Sequence, residues 1–319
     1  MEAYTVCQLQ KDMRHEGFLL VRSAEKRKDS KGNDYVDLNL GDRTGEINCK
    51  IWNWDGSAEV PETGSVLKVR GTVQEYNGRL QFRVERWRPA TEEDAVEMGA
   101  LVASAPRSPR EMRRQIEDTV DSFERADLKK LTKGMLALAG ERLDWFPAAQ
   151  RMHHAERSGL LHHTTDMLRV AEGLLEVYPW LNRDLLLSGV IIHDLGKIDE
   201  MKSDRSGNVT DYSRDGQLLG HLVRGITNLN RVALEQGVHG EAVVLLEHML
   251  LSHHGESEYG SPKAPMFPEA EALHWIDIMD ARMNTMKTAS DKTPEGAFSE
   301  RIPSLERRIY HPLYTEEAE

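Results

Sequence analysis

Thirteen histidines occur in 319 residues, and most of them lie between His153 and His274 in company that could do chemistry. His163 sits in Leu161-His162-His163-Thr164. His193-Asp194 ends the apolar run Leu185 to Ile192 and is followed by Leu195-Gly196-Lys197. His221 follows Gly220, His253-His254 precede Gly255-Glu256, and Asp277 and Asp280 lie one helical turn apart. The His193-Asp194 pair is the most informative. A run of Leu and Ile that enters a core and ends in a carboxylate must give that carboxylate a cation or strong donors, because burying it alone costs several kcal/mol. An aspartate between two hard cations can bridge them through its two oxygens while neutral imidazoles complete each shell. Gly196 permits a tight exit, and Lys197 returns toward the site as a point charge suited to phosphate.

The elements that must position these groups fall into two parts. Phe18 to Val21, Tyr35 to Leu40, Glu46 to Trp54, Ser65 to Val73 and Arg79 to Arg86 are short alternating runs. Turn signals separate them at Ser30-Lys31-Gly32-Asn33, Asp42 to Gly45, Pro61 to Gly64 and Asn77-Gly78. Five strands at this spacing predict a small barrel over residues 1–90, with Asn77-Gly78 as its strongest hairpin signal. Residues 91–109, which hold Pro106 and Pro109, read as a linker. From Arg110 the period becomes helical, with Met112, Ile116, Val120 and Phe123 on one face, and residues 110–319 read as an all-α domain. There are no internal repeats and no low-complexity tracts.

Alternation also assigns the barrel's faces. Ile47, Cys49 and Ile51 point one way, and Lys50, Trp52 and Trp54 the other. Leu80, Phe82 and Val84 oppose Arg79, Gln81 and Arg83, and Tyr35 lies opposite Val36. If the first sets fill the barrel, Tyr35, Lys50, Trp52, Trp54 and Arg83 form an outer face on which bases stack and cations follow phosphates, as single-stranded nucleic acid requires. An interdomain packing role for Trp52 or Trp54 is the competing reading.

Composition limits the setting. The net charge is −12, but Gly17 to Ala90 holds 13 Lys/Arg against 11 Asp/Glu, whereas Ser158 to Glu319 holds 15 against 26. The acidity therefore sits where carboxylates can serve metals, and the barrel is mildly basic. No window approaches the roughly 18 apolar residues of a membrane span. Met1 to Glu16 has no apolar core of a signal peptide. Two cysteines, Cys7 and Cys49, exclude a disulfide framework and a CxxC zinc site, and a cytoplasmic protein with no membrane partner is expected.

His163, His193-Asp194 and Asp277 match the H…HD…D signature and so resemble the HD phosphohydrolase superfamily. That resemblance implies an all-helical domain in which these four residues bind a divalent metal. His221, His253 and His254 look like the additional ligands of subgroups with a second metal, and His253-His254-Gly255-Glu256 to Tyr259-Gly260-Ser261-Pro262 is similar to the HD-GYP signature. Asp277 is preferred to Asp280 because it follows Trp275-Ile276 and precedes Asp280-Ala281. Ser158-Gly159-Leu160-Leu161, Asn182-Arg183-Asp184-Leu185, Gly216-Gln217-Leu218-Leu219-Gly220-His221 and Leu251-Ser252-His253-His254 together resemble the YhaM family of 3′→5′ exoribonucleases from about Phe18 to Tyr314.

This likeness implies a multidomain chain, a small all-β OB-fold barrel followed by an all-α HD domain. It also implies a homo-oligomer acting on single-stranded RNA, with single-stranded DNA as a second substrate. Asp194 and Lys197 are the expected catalytic residues, Asp194 being shared between two ions and Lys197 holding a phosphate oxygen. Mixed imidazole and carboxylate ligation suits manganese first, then cobalt, iron or magnesium. His153, His154 and His162 lack partners at motif spacing and read as exposed helix residues, and Glu256 as either an orienting or a solvated acid. A nucleotide or cyclic-dinucleotide phosphohydrolase and a non-catalytic RNA-binding protein are the alternatives.

Overall fold

The computed structural model describes residues 4–29, 31–52, 54–56, 59–150, 154–256 and 260–313. Ser30, His153, Tyr259 and Tyr314 lie outside the described residues. The chain forms two compact units, Met1–Ala105 with Ser203–Asn208, and Pro106–Lys202 with Val209–Glu319.

In the first unit, β1 (Arg14–Lys28), β2 (Asp34–Asp42), β3 (Gly45–Ile51), β4 (Val66–Tyr76) and β5 (Arg79–Pro89) close a barrel in the order β1-β2-β3-β5-β4. Closure depends on the length of β1. Its first half pairs with β4 and its second with β2, and a bulge between Val21 and Ser23 bends it from one partner to the other. β3 joins β5 in parallel through Cys49 opposite Phe82. Asn77 and Gly78 both take positive φ, 51° and 74°, so the Asn-Gly pair makes the tight β4–β5 hairpin that its sequence predicts. The core holds Leu19, Val36, Leu38, Leu40, Cys49, Leu67, Val69 and Phe82. Leu80, expected inside, is 41% exposed at the hairpin end.

Three local departures from the sequence reading matter. β3 stops at Ile51, which pairs with Val36, so Trp52 and Trp54 lie beyond the strand and alternation no longer assigns them a common face. In β5 a bulge places Arg70 opposite Arg86 and Gly71 opposite Val84. Glu85 is the extra residue, and every side chain after it changes face. Residues 91–109 carry α1 (Met98–Leu101), whose Leu101 packs with Val102 and Leu20 in a small buried cluster.

His15, on β1, is buried, and neither ring nitrogen has a hydrogen-bond partner among the described residues. Burial pushes its pKa down, with Asp42 opposing weakly. A base whose folded pKa is lowered stabilises the fold above its unfolded pKa, about 6.5, and that contribution is lost as pH falls below it. Amide protection of the barrel strands is therefore expected to drop between pH 7.5 and 5.5. His15→Phe should flatten that dependence, and an unchanged slope in the variant would refute the assignment.

The second unit is helical. α2 (Pro109–Asp121) starts with a capping box in which Ser108 and Glu111 exchange hydrogen bonds at 3.2 Å, with Pro109 at the first helical position. It buries Met112, Ile116 and Val120, and Phe123 just beyond its end is buried too. α3 (Ala126–Ala139) and α4 (Gly159–Val177) follow, then α5 (Arg183–Ile192), which is apolar all round and buried from Asp184 to Ile192. Each fully buried Leu or Ile there contributes roughly 1.5–3 kcal/mol, enough together to carry the polar pair at its end into the core.

α6 (Lys197–Glu200), α7 (Arg214–Gln236), α8 (Glu241–Ser252) and α9 (Pro268–Asp291) complete the set. The all-α expectation needs one amendment, a two-stranded hairpin of β6 (Met201–Ser203) and β7 (Val209–Tyr212). Its strands are too short for alternation to announce them. Among the described residues no helix is long and apolar enough to cross a membrane.

Candidate metal centre

The helical unit brings the expected ligands to one place. His193 follows the last turn of α5, and its Nδ1–H donates to the Val190 carbonyl at 2.8 Å. His253 repeats the device after α8, donating Nδ1–H to Leu250 O at 2.9 Å. His163 on α4 donates Nδ1–H to Asp280 on α9 at 2.6 Å, and His221 on α7 meets Glu200 of α6 through Nδ1 at 3.1 Å. An acceptor on Nδ1 fixes the tautomer of the neutral ring, in which Nε2 carries the lone pair. These four Nε2 atoms converge on Asp194.

Asp194 is 3% exposed, and its two oxygens face different groups. Oδ2 lies 3.4 Å from His193 Nε2 and 3.8 Å from His163 Nε2. Oδ1 lies 3.6 Å from His221 Nε2 and 3.8 Å from His253 Nε2. Asp277 Oδ1 stands 3.2 Å from His163 Nε2. The ligand-type atoms gather as His163, His193 and Asp277 and as His221, His253 and His254, with Asp194 joining the two through His193 and His253. His193 Nε2, His221 Nε2, His253 Nε2 and Asp194 Oδ1 are buried with no hydrogen-bond donor or acceptor among the described residues. A native core rarely leaves one such atom unsatisfied, and four facing each other fit a site built for cations.

Electrostatics agrees. Burial disfavours charge on Asp194, but Lys197 and then His193 hold its carboxyl well below the usual range. Burial, followed by neighbouring His193 and His254, pushes His253 well below the imidazole range, which keeps it a neutral ligand. His163 differs: burial opposes its charge, yet Asp277 and Asp280 outweigh burial and raise its pKa to about 10, so its Nε2 carries a proton toward Asp277 that a bound ion would displace. Lys197 Nζ sits 2.6 Å from Asp194 Oδ2, so the ammonium stays beside the carboxylate that ends α5.

Backbone geometry permits this approach at two glycines. A Cβ on Gly196 would lie 2.2 Å from His221 O, so only glycine lets α6 pack against α7 here. Gly220 breaks α7 with φ 70° and ψ 171°, which frees the His221 N–H to donate to Glu200 at 3.2 Å.

Some side chains stand elsewhere than expected. His154 is not an exposed helix residue. It precedes α4 at φ 51°, is 3% exposed, and bonds Asp280 through Nε2 at 2.8 Å. His162 is half-buried between Glu156 at 2.8 Å and Asp166 at 3.3 Å. A carboxylate 126 residues away draws His154 inward, whereas His162 is held by two nearby acids, Asp166 being one helical turn on. Asp280 serves His163 and His154 rather than facing Asp194, while Glu256 is exposed. Glu200 and the His154–Asp280 link were not anticipated. Glu200 lies one helical turn past Lys197, a spacing that could have pointed to it.

On the barrel, Tyr35 and Trp52 stack with ring centroids 4.9 Å apart, and Lys50 Nζ lies 4.8 Å above the Tyr35 ring. Trp52 is 46% exposed and Arg83 sits opposite Lys50 on β5. Trp54 does not join this group. It packs on the barrel core and stacks on Trp87 at 5.8 Å, because the chain leaves the sheet after Ile51.

Fold and site define a class. Residues 20–90 match the family described as OB-fold nucleic acid binding domain, and residues 160–282 match the HD domain, a metal-dependent hydrolase family. Along nearly its whole length the chain is similar to proteins named 3′-5′ exoribonuclease YhaM. Identity is 39% with that of Geobacillus sp. (strain WCH70), covering 93% of this chain and 92% of the relative. It is 38% with that of Halalkalibacterium halodurans, covering 94% of each, and 38% with that of Listeria monocytogenes serotype 4b, covering 93% and 95%. The chain belongs to the YhaM 3′-5′ exoribonuclease family. A solved replication protein A domain from Methanococcus maripaludis covers 28% of the chain at 25% identity, with a TM-score of 0.25 that is too low to bear on the fold.

Proposed function

We propose that this chain is a two-ion, metal-dependent 3′→5′ exoribonuclease that trims single-stranded RNA to nucleoside 5′-monophosphates. The observation that carries this reading is Asp194, whose two oxygens each face a separate imidazole cluster. His163, His193, Asp194 and Asp277 would hold one ion, and His221, His253, His254 and Asp194 the other. The mixed donor set, carboxylates that suit manganese or magnesium and imidazoles that suit iron or cobalt, admits all four, with manganese taken first. Divalent ions held by these residues would supply water activation near neutral pH and charge stabilisation at the phosphate. Lys197 keeps Asp194 ionised and has further N–H donors for a non-bridging phosphate oxygen. Polarity and substrate are taken from the relatives, whose name specifies both.

Lys50 and Trp52, with Arg83 beside them, would hold the single strand; Tyr35, expected on the outer face, is buried at 8% exposure beneath Trp52 and Lys50 and would support them. Stacking is worth roughly 1–3 kcal/mol per base, so Trp52→Ala should weaken RNA binding by about that much in an intact barrel. Trp54→Ala should instead lower the melting temperature through loss of its stack on Trp87. Equal RNA affinity for Trp52→Ala and wild type would remove Trp52 from the binding face.

The test of function is incubation of 5′-labelled and 3′-labelled RNA with purified protein and Mn²⁺. A shortening ladder from the 5′ label and immediate mononucleotide from the 3′ label are expected. Cleavage of circular RNA, or turnover of free nucleotides alone, would reject the reading.

A further inference from the structure

The barrel carries a second cationic surface, on β1, β4 and β5. The Glu85 bulge turns Arg86 and Arg88 to the outer face, whereas unbroken alternation from Phe82 and Val84 would have aimed them inward. There they meet the cations of β4 directly, Arg70 opposite Arg86 and Lys68 opposite Arg88. Like charges directly opposite each other across strands destabilise a sheet, and two consecutive pairs of this kind need a compensating reason.

Protein carboxylates compensate them only in part. Asp94 clamps Arg88 with two 2.6 Å bonds, and Glu16 reaches Arg70 at a loose 3.9 Å. Lys68 lies 5.5 Å from the Phe18 ring centroid. Among the described residues, neither Lys68 nor Arg86 has a carboxylate within ion-pair distance. A groove of about 340 Å³ lies among Glu16, Lys68, Arg70, Arg86 and Arg88, while Trp87, opposite Val69, turns inward onto the barrel core and Trp54.

We infer that this β1–β4–β5 face is a second RNA-binding surface, which grips the phosphodiester backbone through Lys68, Arg70 and Arg86 and is distinct from the Tyr35–Lys50–Trp52 cluster. Anionic phosphates between the opposed cations would remove the repulsion that the bulge creates. A nucleic acid fits better than an acidic polypeptide because these cations lie on the barrel that matches an OB-fold nucleic acid binding domain over residues 20–90 and that also carries the exposed Trp52. This inference rests on the proposed RNA substrate and adds where the strand is held.

The experiment is the salt dependence of binding to a hydrolysis-resistant phosphorothioate 20-mer by wild type and by Arg70→Gln/Arg86→Gln, with Trp52→Ala as comparison. Each phosphate contact contributes about 0.7 to the slope of log K against log salt for a single strand. The double variant should therefore lose about 1.4 from that slope, while Trp52→Ala loses affinity with its slope kept. The double variant's melting temperature should be equal to or above that of wild type, because opposed like charges are gone. RNA binding by wild type with an unchanged slope in the double variant would overturn this surface and leave the exonuclease reading standing. A lowered melting temperature alongside the lost slope would overturn it as a structural effect. Displacement of the RNA by poly-aspartate at equal charge would overturn it in favour of an acidic protein partner, and no RNA binding by wild type would overturn both readings.

Discussion

Asp194→Ala is expected to lose both bound ions and to lower hydrolysis by at least about 10³-fold while the helices around it persist. The carboxylate stands between the two imidazole clusters, so its removal takes a ligand from each. Metal ions contribute several kcal/mol of charge stabilisation in such reactions, and each 1.36 kcal/mol is tenfold in rate. The substitution also leaves Lys197 buried without its 2.6 Å partner, at a cost of about 3–5 kcal/mol. Asp194→Asn keeps the shape and a hydrogen-bond acceptor, and separates loss of ligation from loss of fold. Full metal content by elemental analysis in a folded Asp194→Asn protein would reject the ligand assignment.

Glu200 has the second largest expected effect. It stands behind His221, on the Nδ1 side of the ring, where its carboxylate accepts both the N–H and the Nδ1–H of His221. Without it, the ring that follows the Gly220 break has nothing to fix its tautomer or direction. Loss of such a partner typically weakens metal binding by 10–100-fold, so Glu200→Ala should need correspondingly more Mn²⁺ for half-maximal activity. Glu200→Gln retains an acceptor oxygen and should recover much of the loss. Calorimetric titration giving equal Mn²⁺ affinity for wild type and Glu200→Ala would show that His221 is held by the backbone alone.

The features that were legible in the sequence are those with local causes. Asn77-Gly78 dictates a hairpin because both residues accept positive φ. The apolar run ending in His193-Asp194 marks a buried polar pair wherever its helix goes. The contacts of Asp280 with His154 and His163 span more than a hundred residues of chain, so local spacing does not announce them. The barrel's faces were legible only where alternation is unbroken. The end of β3 at Ile51 removed Trp54 from the expected face, and the Glu85 bulge put Arg86 and Arg88 where period 2 would not. A one-residue slip reverses every later side chain, and a bulge has no strong sequence signature of its own.

A two-ion enzyme requires Asp194 to lie between the ions. Anomalous diffraction from crystals grown with Mn²⁺ tests this directly. Two peaks about 3.5–4 Å apart are predicted, one beside His163, His193 and Asp277 and the other beside His221, His253 and His254, with an Asp194 oxygen on each. A single peak, or two peaks that Asp194 does not touch, would contradict it.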